Sequence, residues 1–199
     1  MNNNVAQKVN DLVLASMPPR FKNLKPNDTL YNKVISGDSL LITGSVGTGK
    51  TRMMLEIIYS YMLDTFRTLD VINSNEVLYD KDPKHYVKKL HETFLNSTDV
   101  LDRIRSSYNG SKNSILTQEL INKPVLFLDD LGTEVVSDWV KEQFYLIIND
   151  RYNWVKPLVI TTNLTMKEIA ENYGERFASR LVEMCEIIKL VGEDRRTEK

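Results

Sequence analysis

The chain has 199 residues, 42% of them hydrophobic and 27% charged, which is ordinary for one globular domain with a single sizeable core. A formal charge of −1 excludes a protein that holds nucleic acid through bulk positive charge, so any such contact must be local or built from several copies. A lone cysteine, Cys185, excludes an internal disulfide, and no Cys/His cluster has the spacing of a zinc site, which fits a reducing compartment.

In chain order, residues 5–17 read as a short amphipathic helix whose apolar run, Val13 to Ala15, is too short for a signal sequence or a membrane span. The expectation is a cytoplasmic chain that enters no membrane. MPPRFKNLKPND is a connector punctuated by prolines, and the core begins near residue 33. SLLITG (39–44) is a continuous apolar run of the buried-strand type closed by glycine, and KTRMMLEIIYSYMLDTF (50–66) carries apolar residues at helical spacing. LDVINSNEVLYD (69–80) opens as a second strand, 81–107 is charged and helical in pattern, and SYNGSKNS (107–114) breaks it. PVLFLDDLG (124–132) is a further apolar strand, DWVKEQFYLIINDRYNW (138–154) an amphipathic helix and PLVITTNL (157–164) another strand. MKEIAENYGERFASRLVEM (166–184) is helical with a break at Gly174, and EIIKLVG (186–192) closes as a short strand. Apolar strands alternating with helices imply an α/β domain whose mainly parallel sheet carries helices on both faces. Trp139 and Trp154 read as core or interface anchors, and His85 and His91 as surface residues.

Three stretches carry chemistry. GSVGTGKT (44–51) satisfies the G-x-x-x-x-G-K-[ST] pattern of a phosphate-binding loop, and it sits between an apolar strand and an amphipathic helix as that motif requires. Its glycines, Gly44, Gly47 and Gly49, let the backbone around Ser45, Val46 and Thr48 curl so that N–H groups face phosphates. Lys50 would reach the β- and γ-phosphates, and the Thr51 hydroxyl would ligate Mg²⁺. VLFLDDLG then delivers two acids at a strand end: Asp129 to hold the metal and Asp130 to orient or deprotonate water. Asp130 stands where many ATPases carry the longer Glu. VITTNLT ends in a polar tip, where Asn163 could bond both a γ-phosphate and the attacking water, or simply form a turn with Thr161 and Thr162.

GERFASRL places Arg176 and Arg180 on one helical face, a spacing equally consistent with surface pairing to Glu175 and Glu183. The segment 81–112 mixes Lys84, Lys88, Lys89, Arg103, Arg105 and Lys112 with Tyr86 and Tyr108. Those are the ingredients of a groove for single-stranded DNA, and equally of a solvated helical face.

Taken together, LDDLGTE, IINDRY, ITTNLT, GERFASRL and GEDRR resemble the AAA+ ATPases of the DnaC/DnaI replicative helicase loader type and the related IstB-type transposition helpers, over roughly residues 35–196. The resemblance implies a P-loop NTPase core at 35–199 with a reduced or absent helical lid, and an N-terminal helix and connector at 1–34 as a partner-docking segment. It implies ATP hydrolysis with Mg²⁺, with Arg52 joining the nucleotide-binding set. It also implies that Arg180 reaches the γ-phosphate in a neighbouring subunit with Arg176 beside it, and that Arg195 or Arg196 touches the nucleotide in cis. The competing reading of GEDRR is a solvated tail. A head-to-tail interface of this kind generates a ring or a spiral. Longer loaders carry a helicase-gripping domain ahead of the core, whereas about 35 residues precede it here. The implied function is delivery of a hexameric replicative helicase onto single-stranded DNA. The alternatives are an IstB-like ATPase that binds duplex DNA and recruits a transposase, and a phage or plasmid protein that captures a helicase with little turnover.

Overall fold

The computed structural model describes residues 3–21, 23–72, 88, 90–106 and 115–192. The chain divides into two compact units, one formed by Met1–Tyr31 with Arg52–Phe94 and the other by Asn32–Thr51 with Leu95–Lys199.

The first unit contains helix α1 (Asn3–Ser16) and most of helix α3 (Lys50–Ile72). Val9 and Val13 of α1 are buried, as are Met54, Ile57, Ile58 and Met62 of α3, so each helix hides an apolar stripe. Polar ties fix the register between these segments. Tyr59 donates its hydroxyl to Asn10 Oδ1 at 2.8 Å, Ser60 to Asp28 Oδ1 at 2.7 Å and Tyr31 to Asp64 Oδ2 at 2.7 Å. The connector ends in a cap: Asn27 Oδ1 accepts the Leu30 N–H and opens a short helix, α2 (Asp28–Ile35).

The second unit is built on a five-stranded sheet. Its strands are β1 (Ser39–Thr43), β2 (Phe94–Asn96), β3 (Leu126–Leu131), β4 (Leu158–Thr162) and β5 (Cys185–Lys189), in spatial order β2-β3-β4-β1-β5. The pairs β1 with β4, β1 with β5 and β3 with β4 are parallel, and this is the α/β architecture that the alternating pattern predicts. Leu40 to Ile42, Leu126 to Leu128 and Leu158 to Ile160 are all buried without alternation, which is why these strands read as continuous apolar runs. Helices α4 (Ser97–Ser106), α5 (Ile115–Asn122), α6 (Asp138–Asn153), α7 (Met166–Tyr173) and α8 (Glu175–Met184) complete the unit. Val100, Ile104, Phe144, Ile148, Ile169 and Phe177 pack with the strand side chains in one core.

Local chemistry sets these boundaries. Ser137 caps α6 by accepting the Val140 N–H, and Thr165 with Glu168 forms a reciprocal capping box on α7. Gly174, at φ +99, ends α7 and starts α8 in a conformation that L side chains rarely adopt. Arg151 is wholly buried, and its guanidinium donates to the carbonyls of Leu120, Ile121, Lys123, Pro124 and Pro157. It thereby closes the C-terminal end of α5 and fixes the segments that enter β3 and β4. Burial pushes its guanidinium down to about 10.

Four expectations from sequence need correction. Residues 69–72, read as the opening of a strand, are the last turn of α3, and the rest of that stretch lies outside the described residues. Phe94–Asn96 is a strand inside a segment read as helical. Helices α2 and α5 occupy stretches in which no helix is expected. Among the described residues, no helix is long and apolar enough to cross a membrane.

Candidate active site

The phosphate-binding loop leaves β1 at Thr43 and enters α3 at Lys50. Gly44, Gly47 and Gly49 all have positive φ, which a loop that turns its N–H groups inward requires. Gly44 is also constrained by space, because an added Cβ would strike the Leu190 carbonyl oxygen. Leu190 is held there by its N–H bond to the Thr43 carbonyl at 2.7 Å. Lys50 is buried, and its ammonium donates to the carbonyls of Gly44 and Ser45, each at 2.8 Å. The Thr48 hydroxyl closes the loop on the Ser45 carbonyl at 2.8 Å. Val46 and Ser45 are exposed at the loop tip.

The two acids sit on a bulge. Leu128 pairs with Ile160 and Leu131 with Thr162, so β3 takes three steps where β4 takes two, and the extra residue falls at Asp129–Asp130. Asp130 has φ +56, the left-handed region that Asp tolerates better than most residues. Its main chain is held on both sides: its N–H donates to Thr161 Oγ1 at 2.9 Å, and its carbonyl accepts the hydroxyls of Ser97 at 2.8 Å and Thr133 at 2.9 Å. Strain that neighbours hold in place is typical of functional sites.

Asp129 is 3% exposed, and its carboxylate accepts the Thr161 hydroxyl at 2.6 Å and the Thr51 hydroxyl at 3.1 Å. Burial pushes its carboxyl up to about 6, with the charge of Asp130 adding to the rise and the Thr161 and Thr51 hydrogen bonds and Lys50 opposing it. The β1 loop and the β3 end therefore meet at Thr51 and Asp129. A hydroxyl and a carboxylate side by side next to a phosphate-binding loop form the oxygen donor set that suits Mg²⁺, which keeps most of its coordination for water and phosphate. The Lys50 ammonium, the inward-turned loop and the N-terminal end of α3 suit a polyphosphate. The residues present fit ATP with Mg²⁺.

Beside the two acids lies a third carboxylate that residue patterns alone do not single out. Glu134 accepts the Gly132 N–H at 3.2 Å and the Tyr173 hydroxyl, and lies 2.8 Å from the Ser97 hydroxyl, whose one proton it shares with the Asp130 carbonyl. Tyr173 ends α7 and stacks on Phe177 of α8 at 5.1 Å between centroids, so Glu134 ties the loop after β3 to the helix pair that carries the arginines. Burial, reinforced by Glu134, pushes the Tyr173 phenol far above its ordinary range.

The other predicted residues are placed as follows. Asn163 is exposed immediately after β4, while Thr161 and Thr162 belong to that strand rather than to a turn. Thr161 is the residue missed: its position beside Asp129 follows only from the β3/β4 register. Arg176 and Arg180 both lie on α8, Arg176 exposed and Arg180 half-buried. Arg52 turns its guanidinium to Glu56 Oε1 at 3.1 Å and to the Asn23 carbonyl at 2.8 Å within the first unit. Arg195 and Arg196, and most of the basic and aromatic residues of 81–112, lie outside the described residues. Arg105 is described, and its guanidinium lies 4.9 Å from the Trp139 ring centroid. Trp154 is exposed.

Comparison with known proteins bears on this arrangement. The family described as IstB-like ATP binding protein matches residues 89–199, which include the acids, the β4 tip and the arginine helix. The replicative helicase loader DnaI of Bacillus subtilis (strain 168) is 24% identical over 179 residues, 83% of this chain and 50% of that protein. The replicative helicase loader DnaC of Escherichia coli (strain K12) is 24% identical over 143 residues, 72% of this chain and 49% of that protein. The chain thus spans about half the length of these two relatives. A crystal structure of the DnaC helicase loader superposes with a TM-score of 0.59 at 22% identity, covering 87% of this chain and 100% of that one, and so shares its fold.

Proposed function

The chain belongs to the IstB-like ATP binding protein family, and on that premise we propose that it hydrolyses ATP with Mg²⁺, assembles head to tail, and delivers a hexameric replicative helicase onto single-stranded DNA. The observation that carries the reading is the junction of Thr51 with Asp129, where the phosphate-binding loop meets a buried carboxylate beside a strained Asp130.

In this reading the N–H groups from Ser45 to Gly49 hold the phosphates, Lys50 leaves the Gly44 and Ser45 carbonyls for the β- and γ-oxygens, and Arg52 adds to the nucleotide set. Thr51 and Asp129 would hold Mg²⁺, which supplies positive charge to the phosphate oxygens. Asp130 takes the proton of the attacking water or orients it, and Asn163 at the tip of β4 bonds the same water. Arg180 reaches the γ-phosphate of a neighbouring copy, with Arg176 beside it, because a planar guanidinium is bidentate towards phosphate oxygens. Arg195 or Arg196 is given the cis contact. Residues 1–34 serve as the segment that docks the partner.

A second reading is favoured by the family match itself: an IstB-like ATPase that binds duplex DNA and recruits a transposase. Native mass spectrometry of the chain with the replicative helicase of the same source, ATP and Mg²⁺ separates the two. A defined helicase complex supports loading. Assemblies on duplex DNA with no helicase complex overturn it in favour of the transposition role.

A further inference from the structure

Arg180 is gripped by the helix next to its own. Its guanidinium carbon lies 5.1 Å from the ring centroid of Tyr145 and 5.5 Å from that of Tyr152, and Nη1 donates to the Arg176 carbonyl at 3.1 Å. Tyr145 and Tyr152 are seven residues apart on α6, so they share a face about 10 Å apart along the axis, a gap that takes one planar group between two rings. Nε of Arg180 is buried and has no hydrogen-bond partner, while the residue as a whole is half-buried. A ligand therefore meets this arginine end-on, at the Nη nitrogens.

We propose that Tyr145 and Tyr152 are positioning residues that clamp the Arg180 guanidinium and present its Nη nitrogens to the γ-phosphate of ATP bound in a second copy of this chain. The proposal rests on the shared-site reading above. Both rings lie within cation–π distance of the guanidinium carbon, whereas phosphate is bound at the guanidinium edge, so Nη2 and the second hydrogen of Nη1 are the donors left for it. An arginine is among the most freely rotating side chains, and ordering it at the moment of contact weakens that contact. Two rings that hold its plane remove the freedom before the neighbour arrives. The buried, unpaired Nε is a cost that such an arrangement accepts in exchange for a fixed orientation.

The test measures ATP turnover against protein concentration for Tyr145→Leu, Tyr152→Leu, Tyr145→Phe and Arg180→Ala, each normalised to the fraction of protein that binds ATP. The two Leu variants are expected to lose about tenfold in turnover at saturating ATP, the order set by a desolvated cation–π contact, with KM for ATP unchanged. Tyr145→Phe keeps the ring and stays near the parent. A mixing experiment reads the same effect in trans: Lys50→Ala subunits donate the arginine to Arg180→Ala subunits and restore turnover, and adding Tyr145→Leu to the Lys50→Ala donor removes most of that rescue. Parental turnover in the Leu variants, with Arg180→Ala impaired, overturns the clamp alone. Faster turnover in the Leu variants also overturns it, because the rings would then stow the arginine. Parental turnover in Arg180→Ala overturns the shared-site reading and the clamp with it.

Discussion

Thr161 donates its hydroxyl proton to Asp129 at 2.6 Å while its oxygen accepts the N–H of Asp130 at 2.9 Å, so one side chain of β4 holds both acids of the β3 bulge. Replacing it with Val keeps the shape and removes both bonds. The Asp129 carboxylate loses its shortest hydrogen bond, and its carboxyl, already raised to about 6, rises further, by roughly one unit for a bond to a charged group. Thr161→Val is therefore expected to move the midpoint of Mg²⁺-dependent ATP binding to higher pH, a shift read by titrating binding between pH 5 and 8. An unchanged midpoint would mean that Thr161 does not hold the carboxylate in the working site.

Asp129 costs the folded chain stability once it is ionised. Its carboxyl is raised in the folded chain from 3.8 to about 6, so between these values the folded state keeps a proton that the unfolded state has lost. The stabilisation it gives is present at low pH and is lost as pH rises through that window, amounting to about 3 kcal/mol for a shift of two units. Asp129→Asn removes the charge and keeps the size. Without nucleotide it is expected to unfold at higher urea than the parent at pH 7.5, by about 1–3 kcal/mol within the usual spread of such effects, and by about a third of that at pH 4.5, where only the start of the window has been crossed. ATP binding in the presence of Mg²⁺ should be weaker at both pH values. A variant less stable than the parent at pH 7.5 would show that the carboxylate is compensated more fully than its burial implies.

Arg151 is the structural keystone of the same unit. Five backbone carbonyls accept from its guanidinium, and removing it leaves those of Leu120, Ile121, Lys123 and Pro124 without that donor, while Pro157 keeps the Leu126 N–H. Arg151→Met is expected to cost about 3–5 kcal/mol, a large part of the stability of an ordinary domain. Arg151→Lys recovers little, because an ammonium has three donors and no planar fork. Urea denaturation at pH 7.5 reads both, and a loss under about 1 kcal/mol for Met would mean that water replaces the guanidinium.

What the sequence shows follows from how local each signal is. The loop at 44–51 and the apolar strands are local, so they are legible from spacing alone. Leu69 to Ile72, three apolar residues interrupted by Asp70, fits strand or helix equally, and continuity with α3 decides it. Phe94–Asn96 is too short to announce itself, becoming a strand only because β3 offers it an edge. Arg151 looks like any basic residue near a helix end until the carbonyls around it are counted. Thr161 and Glu134 gain their roles from the bulge and from Tyr173, and no spacing rule reaches across 32 or 39 residues to pair them with their partners.

The end of α6 stores strain that function does not visibly use. Lys156 N–H bonds the Arg151 carbonyl at 2.9 Å and Val155 N–H bonds the Tyr152 carbonyl at 3.3 Å, the paired bonds of a helix-ending turn whose left-handed position is normally Gly. Here that position is Val155, at φ +49, and its side chain is 75% exposed. A β-branched side chain pays about 1–2 kcal/mol in this region and regains little from burial at such exposure. Val155→Gly relieves that cost, against about 0.5–1 kcal/mol for the greater freedom of glycine in the unfolded chain. The net expectation is a gain near 1 kcal/mol, or a rise of about 2–4 °C in Tm for a chain of this size. Val155→Ala keeps the strain without the branching and should fall between the two. A lower Tm for Val155→Gly would show that the exposed valine contributes a contact that outweighs its backbone strain.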